Sequence, residues 1–290
     1  MKEKLIGLAL LAVGATAALA ASTVPGGTIA ASGTPISGIT AQAQAYASPD
    51  AAAEAGRAAA IRACMAAAGY DYAPPVDAYQ VDFNSNIGFK RLDVATAKAS
   101  GYASLQQSGP GEPAEGSPEA ALFADPGFNA ALSGVRPEED MVRHDGSGMG
   151  TSGGGCRGEG AKAIYGSMEN YILATGVAAN SLNSAAGGLM SDSGFQKAID
   201  SWRDCMADSP YANFRNPADA VSAGVKAGGL NEFKIAVTDA TCREQVDFHG
   251  QLDSLLDKYL TTRMQQLEPE IAKVTEIRKQ AAARAADFTK

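Results

Sequence analysis

Four cysteines and two histidines are the residues in this chain best suited to chemistry, and the cysteines are patterned. Arg62-Ala63-Cys64-Met65-Ala66 with Tyr70 is matched by Arg203-Asp204-Cys205-Met206-Ala207 with Tyr211, and Cys156-Arg157 is matched by Cys242-Arg243. Four cysteines allow three pairings. The duplication favours Cys64 with Cys156 and Cys205 with Cys242, which makes one stapled helical unit used twice. Closing loops of that size removes about 5 and about 4 kcal/mol of unfolded-state entropy on a chain-entropy argument. Thiol redox chemistry and metal binding both prefer short spacings such as Cys-x-x-Cys or His-x-x-x-His. The cysteines here are 92, 49 and 37 residues apart in order, so neither a redox pair nor a metal centre is expected, and no cofactor.

Acid–base chemistry would fall to His144 or His249. His144 stands beside Asp145 and Ser147, and His249 follows Asp247 by two residues, but members of a catalytic triad converge through the fold rather than along the chain. A secreted hydrolase using either histidine is one alternative reading. Gly148, Gly150 and Gly153 match a dinucleotide fingerprint, which needs a strand before it and a parallel sheet around it. No such strand is expected. Glu138, Glu139 and Asp140 form the densest acidic cluster, and a helix start after Pro137 accounts for it without a glycosidase pair.

A third set of candidates is aromatic. Tyr70, Tyr72, Tyr79, Phe83 and Phe89 lie among Pro74, Pro75, Asn84, Asn86 and Gly88, which points to a long loop whose rings either pin it over helices or touch a ligand or partner. A small-ligand carrier, with this loop covering a pocket between helices, is the other alternative reading.

The elements holding these residues read as helices. Lys2 and Lys4, an apolar run from Leu5 to Ala20 and the ending Ala18-Leu19-Ala20 have the form of a signal peptide over residues 1–20, with a retained anchor as the competing reading. Cleavage would leave no stable membrane span. Residues 21–47 are poor in large apolar groups and are expected to form a flexible low-complexity leader. A second Ala-x-Ala stretch from Ala41 to Ala45 offers another processing site. Export agrees with an even number of cysteines, since disulfides persist outside the reducing cytosol. A net charge of −8 argues against nucleic acid as a partner.

Residues 48–268 are expected to form a helical domain of two related halves, about 48–189 and 190–268, followed by a helical arm over 269–290. Ser48-Pro49-Asp50 marks a helix start and Gly69 its stop; proline also marks starts at Pro118, Pro137 and Pro217. Helical spacing runs from Ala161 to Leu182, from Phe195 to Met206, and from Leu230 nearly to the end, interrupted near Leu267 by Pro269. Period-two runs are absent. The fold class is all-α, a disulfide-stapled bundle with a long aromatic loop and a long C-terminal helix. Six basic and four acidic residues lie between Arg263 and Lys290, which suits the C-terminal end of a helix dipole better than a binding patch.

The motifs around the four cysteines, with Gly69-Tyr70-Asp71-Tyr72, Ala163-Ile164-Tyr165-Gly166 and Trp202-Arg203-Asp204, resemble a family of uncharacterised exported proteins and lipoproteins of actinobacteria. The likeness spans about residues 58–275. It implies a cell-envelope setting and no particular reaction. The chain departs from the family in lacking a lipoprotein cysteine, since none precedes Cys64, and in carrying Asp208-Ser209-Pro210 where its own first copy has Ala68-Gly69. The leading expectation is a secreted, non-catalytic envelope protein that binds a protein or cell-wall component, with the helix from Leu230 as the contact element.

Overall fold

The computed structural model describes residues 38–106 and 116–290. The signal sequence expected over 1–20 lies outside them, as does the leader up to residue 37. In chain order the helices are α1 (Gly38–Ala47), α2 (Ala51–Ala67), α3 (Phe83–Asn86), α4 (Val94–Ser100), α5 (Pro118–Ala124) and α6 (Pro126–Ser133). A hairpin of β1 (Met141–Arg143) and β2 (Gly150–Ser152) follows, antiparallel, with Val142 opposite Thr151. Then come α7 (Gly155–Tyr165), α8 (Met168–Ile172), α9 (Ala178–Ser181), α10 (Asn183–Leu189), α11 (Ser193–Ala207), α12 (Pro217–Ala227), α13 (Gly229–Gln245), α14 (Phe248–Gln266) and α15 (Glu268–Ala285). The described chain is thus mostly helical, and among the described residues the one departure from all-α is a small hairpin that runs into the glycine-rich stretch from Asp145.

Both expected bridges form. Cys64–Cys156 joins α2 to α7 and Cys205–Cys242 joins α11 to α13, each across a Cα–Cα distance of 5.6 Å. The two halves are not separate in space, however. One continuous core runs from Tyr46 through Tyr102, Ile172 and Trp202 to Ala285, and a smaller one gathers Ile61, Met65, Tyr72, Phe128, Leu132 and Cys156. α4 precedes the first bridge's partner in sequence yet packs on α13, while α15 returns to lie against α2 and α7.

Several expectations need correction. Residues 38–47, read as the end of a flexible leader, form α1, with Ala43, Tyr46 and Ala47 buried. The second Ala-x-Ala stretch is therefore part of the packed body. Small side chains, which suggest disorder in composition, here allow a close helix approach. The α2 cap is Asp50, accepting from the Ala53 amide, while the Ser48 hydroxyl accepts from Val81 instead. No helix follows Pro137; residues 137–140 turn directly into β1. The helical run from Leu230 breaks at Leu267 before Pro269, as expected, and breaks also between α13 and α14, where Asp247 takes a left-handed conformation (φ 48°). The arm over 269–290 packs on the body. Its arginines act as ties rather than as a dipole complement alone: Arg278 donates to the Ala174 and Ala45 carbonyls and Arg284 to Ile164.

Glycine sets two of the closest approaches. A Cβ at Gly158 would sit 2.0 Å from the Gly153 carbonyl oxygen, so the hairpin's exit can cross the first turn of α7 only over a glycine. Close packing accounts for Gly158, and positive φ at Gly146 and Gly148 accounts for the turn of the hairpin. At Gly56 an added Cβ would lie 2.3 Å from the Ala285 Cβ and 2.6 Å from its Cα, where α2 meets α15.

Gly56→Ala should therefore lower the unfolding free energy by about 1–3 kcal/mol, the usual effect of overpacking, and a second change, Ala285→Gly, should restore part of it in denaturant melts. Asp239→Asn should cost about 3–5 kcal/mol, because it leaves the Arg243 guanidinium buried without its counter-charge.

Candidate functional site

Two arginine–carboxylate clusters are buried, one near each bridge. On the α11–α13 side, Asp239 is fully buried and accepts from the Trp202 indole (3.0 Å), the Tyr102 hydroxyl (3.0 Å) and both Nε and Nη2 of Arg243 (2.7 Å each). The remaining arm of Arg243 reaches the Lys90 carbonyl at 3.0 Å. Each nitrogen of the guanidinium and each oxygen of the carboxylate thus has a partner, as a buried ion pair demands. Burial, with the Asp239 charge, pushes the Tyr102 phenol far up and keeps its proton in place as a donor.

On the α2–α7 side the same chemistry is arranged differently. Glu54, on the buried face of α2, accepts from Arg57 Nε (2.7 Å) and from the Tyr165 hydroxyl (2.7 Å). Arg57 also bonds Asp77 of the aromatic loop (2.5 Å), and its guanidinium sits 5.3 Å from the Tyr171 ring centre. Burial works against the Arg57 charge, but Glu54, Tyr171 and Asp77 outweigh it and hold the guanidinium firmly protonated. This cluster opens to solvent on one side.

The opening is a cleft of about 440 Å³ at the seam between the two hydrophobic clusters. Ile61, Tyr72 and Phe123 supply one wall from the smaller cluster. Arg57, Tyr171, Thr151, Arg157, Pro74, Pro75, Asp77 and Glu119 complete the lining. Each wall is positioned by a specific device. Tyr72 and Phe123 are held edge-on around Phe128, at 5.2 and 5.3 Å between ring centres. Tyr171 sits at the end of α8, just before a π-helical turn over Leu173–Val177. The turn is locked by Thr175 donating to the Tyr171 carbonyl at 2.7 Å. Thr151 comes from the hairpin and Arg157 from the first turn of α7.

Arg157 is exposed and makes no hydrogen bond or ion pair with any described residue. Its repeat counterpart Arg243 finds Asp239 four residues earlier on the same helix face, whereas four residues before Arg157 stands Gly153. The Tyr171 phenol is pushed up by burial, with the nearby Arg57 and Arg157 charges opposing that shift. The cleft therefore offers a free guanidinium, aromatic faces and hydroxyls. That set suits a ligand with a flat apolar body and an anionic group.

The aromatic candidates read from sequence do not form one platform. Tyr72 lines the cleft, and Tyr70 packs edge-on against Phe128 behind it, at 5.4 Å. Tyr79 is 52% exposed and borders a separate hollow beside Arg278. Phe83 and Phe89 are buried in the main core, Phe89 against Phe195 and Phe248. Arg57, Phe123, Thr151, Arg157 and Tyr171 escaped the sequence reading, and only for Arg157 was a signal present, in the missing acid of the repeat.

Neither histidine reaches the cleft, and neither imidazole hydrogen-bonds a hydroxyl or carboxylate among the described residues. Both ring nitrogens of His249 are shut from solvent without a partner, beside Arg91 and Arg243. Burial first, then those two guanidinium charges, push its pKa down from 6.5 to about 2. The unfolded chain binds a proton here below about pH 6.5 and the folded chain does not, so stability must fall as pH drops through that range. Among the described residues no group of three or more His, Cys, Asp or Glu is placed to hold a metal ion.

The wild-type protein should lose on the order of 2 kcal/mol more stability than His249→Leu between pH 6.5 and pH 5, at about 1.4 kcal/mol per unit. Chemical denaturation at the two pH values measures the difference. The chain matches no family model, no curated protein and no solved structure, so the geometry of the cleft is the ground for its functional reading.

Proposed function

We propose that this protein is a secreted, non-catalytic binding module of the cell envelope, and that its cleft beneath the aromatic loop takes a small ligand bearing a carboxylate and an apolar body. The observation that carries the reading is Arg157, a guanidinium without a partner on the wall of a cleft lined by Tyr72, Phe123 and Tyr171. A bidentate carboxylate is the natural complement of such a group. The volume is at the small end of ligand pockets, which favours a compact molecule over a protein partner.

The extracytoplasmic setting is supported by the two bridges and by the likeness of the cysteine motifs to actinobacterial exported proteins. Among the described residues no helix is long and apolar enough to cross a membrane. The non-catalytic reading is favoured over a hydrolase by the distance of both histidines' surroundings from triad chemistry: His249 is neutral and enclosed among arginines, and His144 bonds through its backbone to Met149 and Ser147.

Titration of the purified protein with 4-phenylbutyrate, against 4-phenylbutanol as the uncharged control, tests this reading by calorimetry. The acid should bind at least tenfold more tightly than the alcohol, and Arg157→Gln should remove that advantage while leaving the melting temperature of the free protein unchanged. Equal binding of acid and alcohol, or an acid preference retained in Arg157→Gln, would overturn it.

A further inference from the structure

The charges around the cleft do not all have the same sign, and their imbalance says what else the ligand carries. Arg57 and Arg157 are the cations that line it, Asp77 and Glu119 the anions. Arg57 is already committed, to Glu54 behind it and to Asp77 in front. Asp77 keeps one carboxylate oxygen uncommitted, since Arg57 engages only Oδ2 and the side chain is 57% exposed. Glu119, in the first turn of α5, is exposed and bonds no described residue. A ligand that offered only negative charge would satisfy Arg157 and be repelled by these two carboxylates. Multiply charged anions such as phosphate esters are disfavoured on the same ground.

We infer that the ligand is a zwitterion, an amino acid or dipeptide with a large apolar side chain, its carboxylate on Arg157 and its ammonium toward Glu119 and Asp77. The inference rests on the carboxylate-binding reading above and adds the second charge to it. The rings of Tyr72, Phe123 and Tyr171 then have two uses. Their faces and edges bury the apolar side chain, and their π-systems favour a nearby ammonium over a neutral amine. About 440 Å³ accommodates a residue or two of peptide and no longer chain. The polar groups at the rim place the charged backbone outward and the side chain inward against Ile61.

Calorimetry with alanyl-phenylalanine, its N-acetyl derivative and its C-terminal amide distinguishes the two levels of the proposal. The free dipeptide should bind at least tenfold more tightly than either blocked form. Glu119→Gln should weaken the free dipeptide several-fold while leaving the N-acetyl form unchanged or slightly tighter, and Arg157→Gln should do the converse with the amide as the insensitive ligand. Equal affinity of the free and N-acetylated dipeptides, with Arg157 still required, would overturn the zwitterion and leave the carboxylate site standing. Equal affinity of the acid and the amide would overturn both.

Discussion

Burying an arginine is the constraint from which much of this structure follows. A guanidinium carries five donors and a charge it does not give up, so it enters a core only where carboxylates and carbonyls meet it on every side. At Arg243 each nitrogen is met: Asp239 takes a donor from Nε and one from Nη2, Lys90 one from Nη1, and Tyr102 and Trp202 donate to the same acid. That one knot draws together α11, α13 and the chain on either side of α4. It accounts for the packing of α4 against α13, far from its sequence neighbours. Arg57 is met by Glu54 within α2 and by Asp77 from the loop, so the same requirement that stabilises α2 also fixes where the aromatic loop crosses it.

Duplication and divergence explain why one half of the molecule is closed and the other open. The Cys-Arg pair occurs in both halves with the bridge in the same place, but the acid four residues before the arginine is present only in the second. The close passage across α7 is made at Gly158, one residue after Arg157, where an added Cβ would sit 2.0 Å from the Gly153 carbonyl oxygen. Gly153 itself precedes α7 and has no side chain, so nothing fills for Arg157 the place that Asp239 fills for Arg243.

The helices and both bridges were legible because their signals are local: capping residues, a positive-φ glycine after α2, a duplicated cysteine pattern. Elements that depend on distant partners were not. α1 has an alanine-rich sequence that, read alone, cannot offset the entropy of folding; it is helical because Tyr46 reaches Glu270 and Ala45 receives Arg278, residues more than two hundred positions away. The hairpin is invisible because three-residue strands show no alternation, and its glycines, which read as a loop, serve its turn at Gly146 and Gly148 and the strand contact at Gly150. The segment read as an aromatic loop contains α3, and only Tyr72 of its five rings lines the cleft. Tyr171 lies off the apolar repeat of the helix expected from Ala161, and a π-turn leaves no mark in periodicity.

The C-terminal arm links these features mechanically. A π-helical turn leaves main-chain carbonyls poorly matched to amides of its own coil, and Arg278 on α15 donates twice to Ala174 within that turn. Arg284 similarly takes the Ile164 carbonyl near the end of α7, and Ala285 closes against Gly56 of α2. The arm therefore holds three things in register: the turn that positions Tyr171, the helix that carries Arg157, and the helix that carries Arg57. A segment whose composition reads as a solvated basic tail is, in the fold, the back wall of the cleft's supports, and displacing it would loosen the geometry of every cationic and aromatic group that faces the ligand.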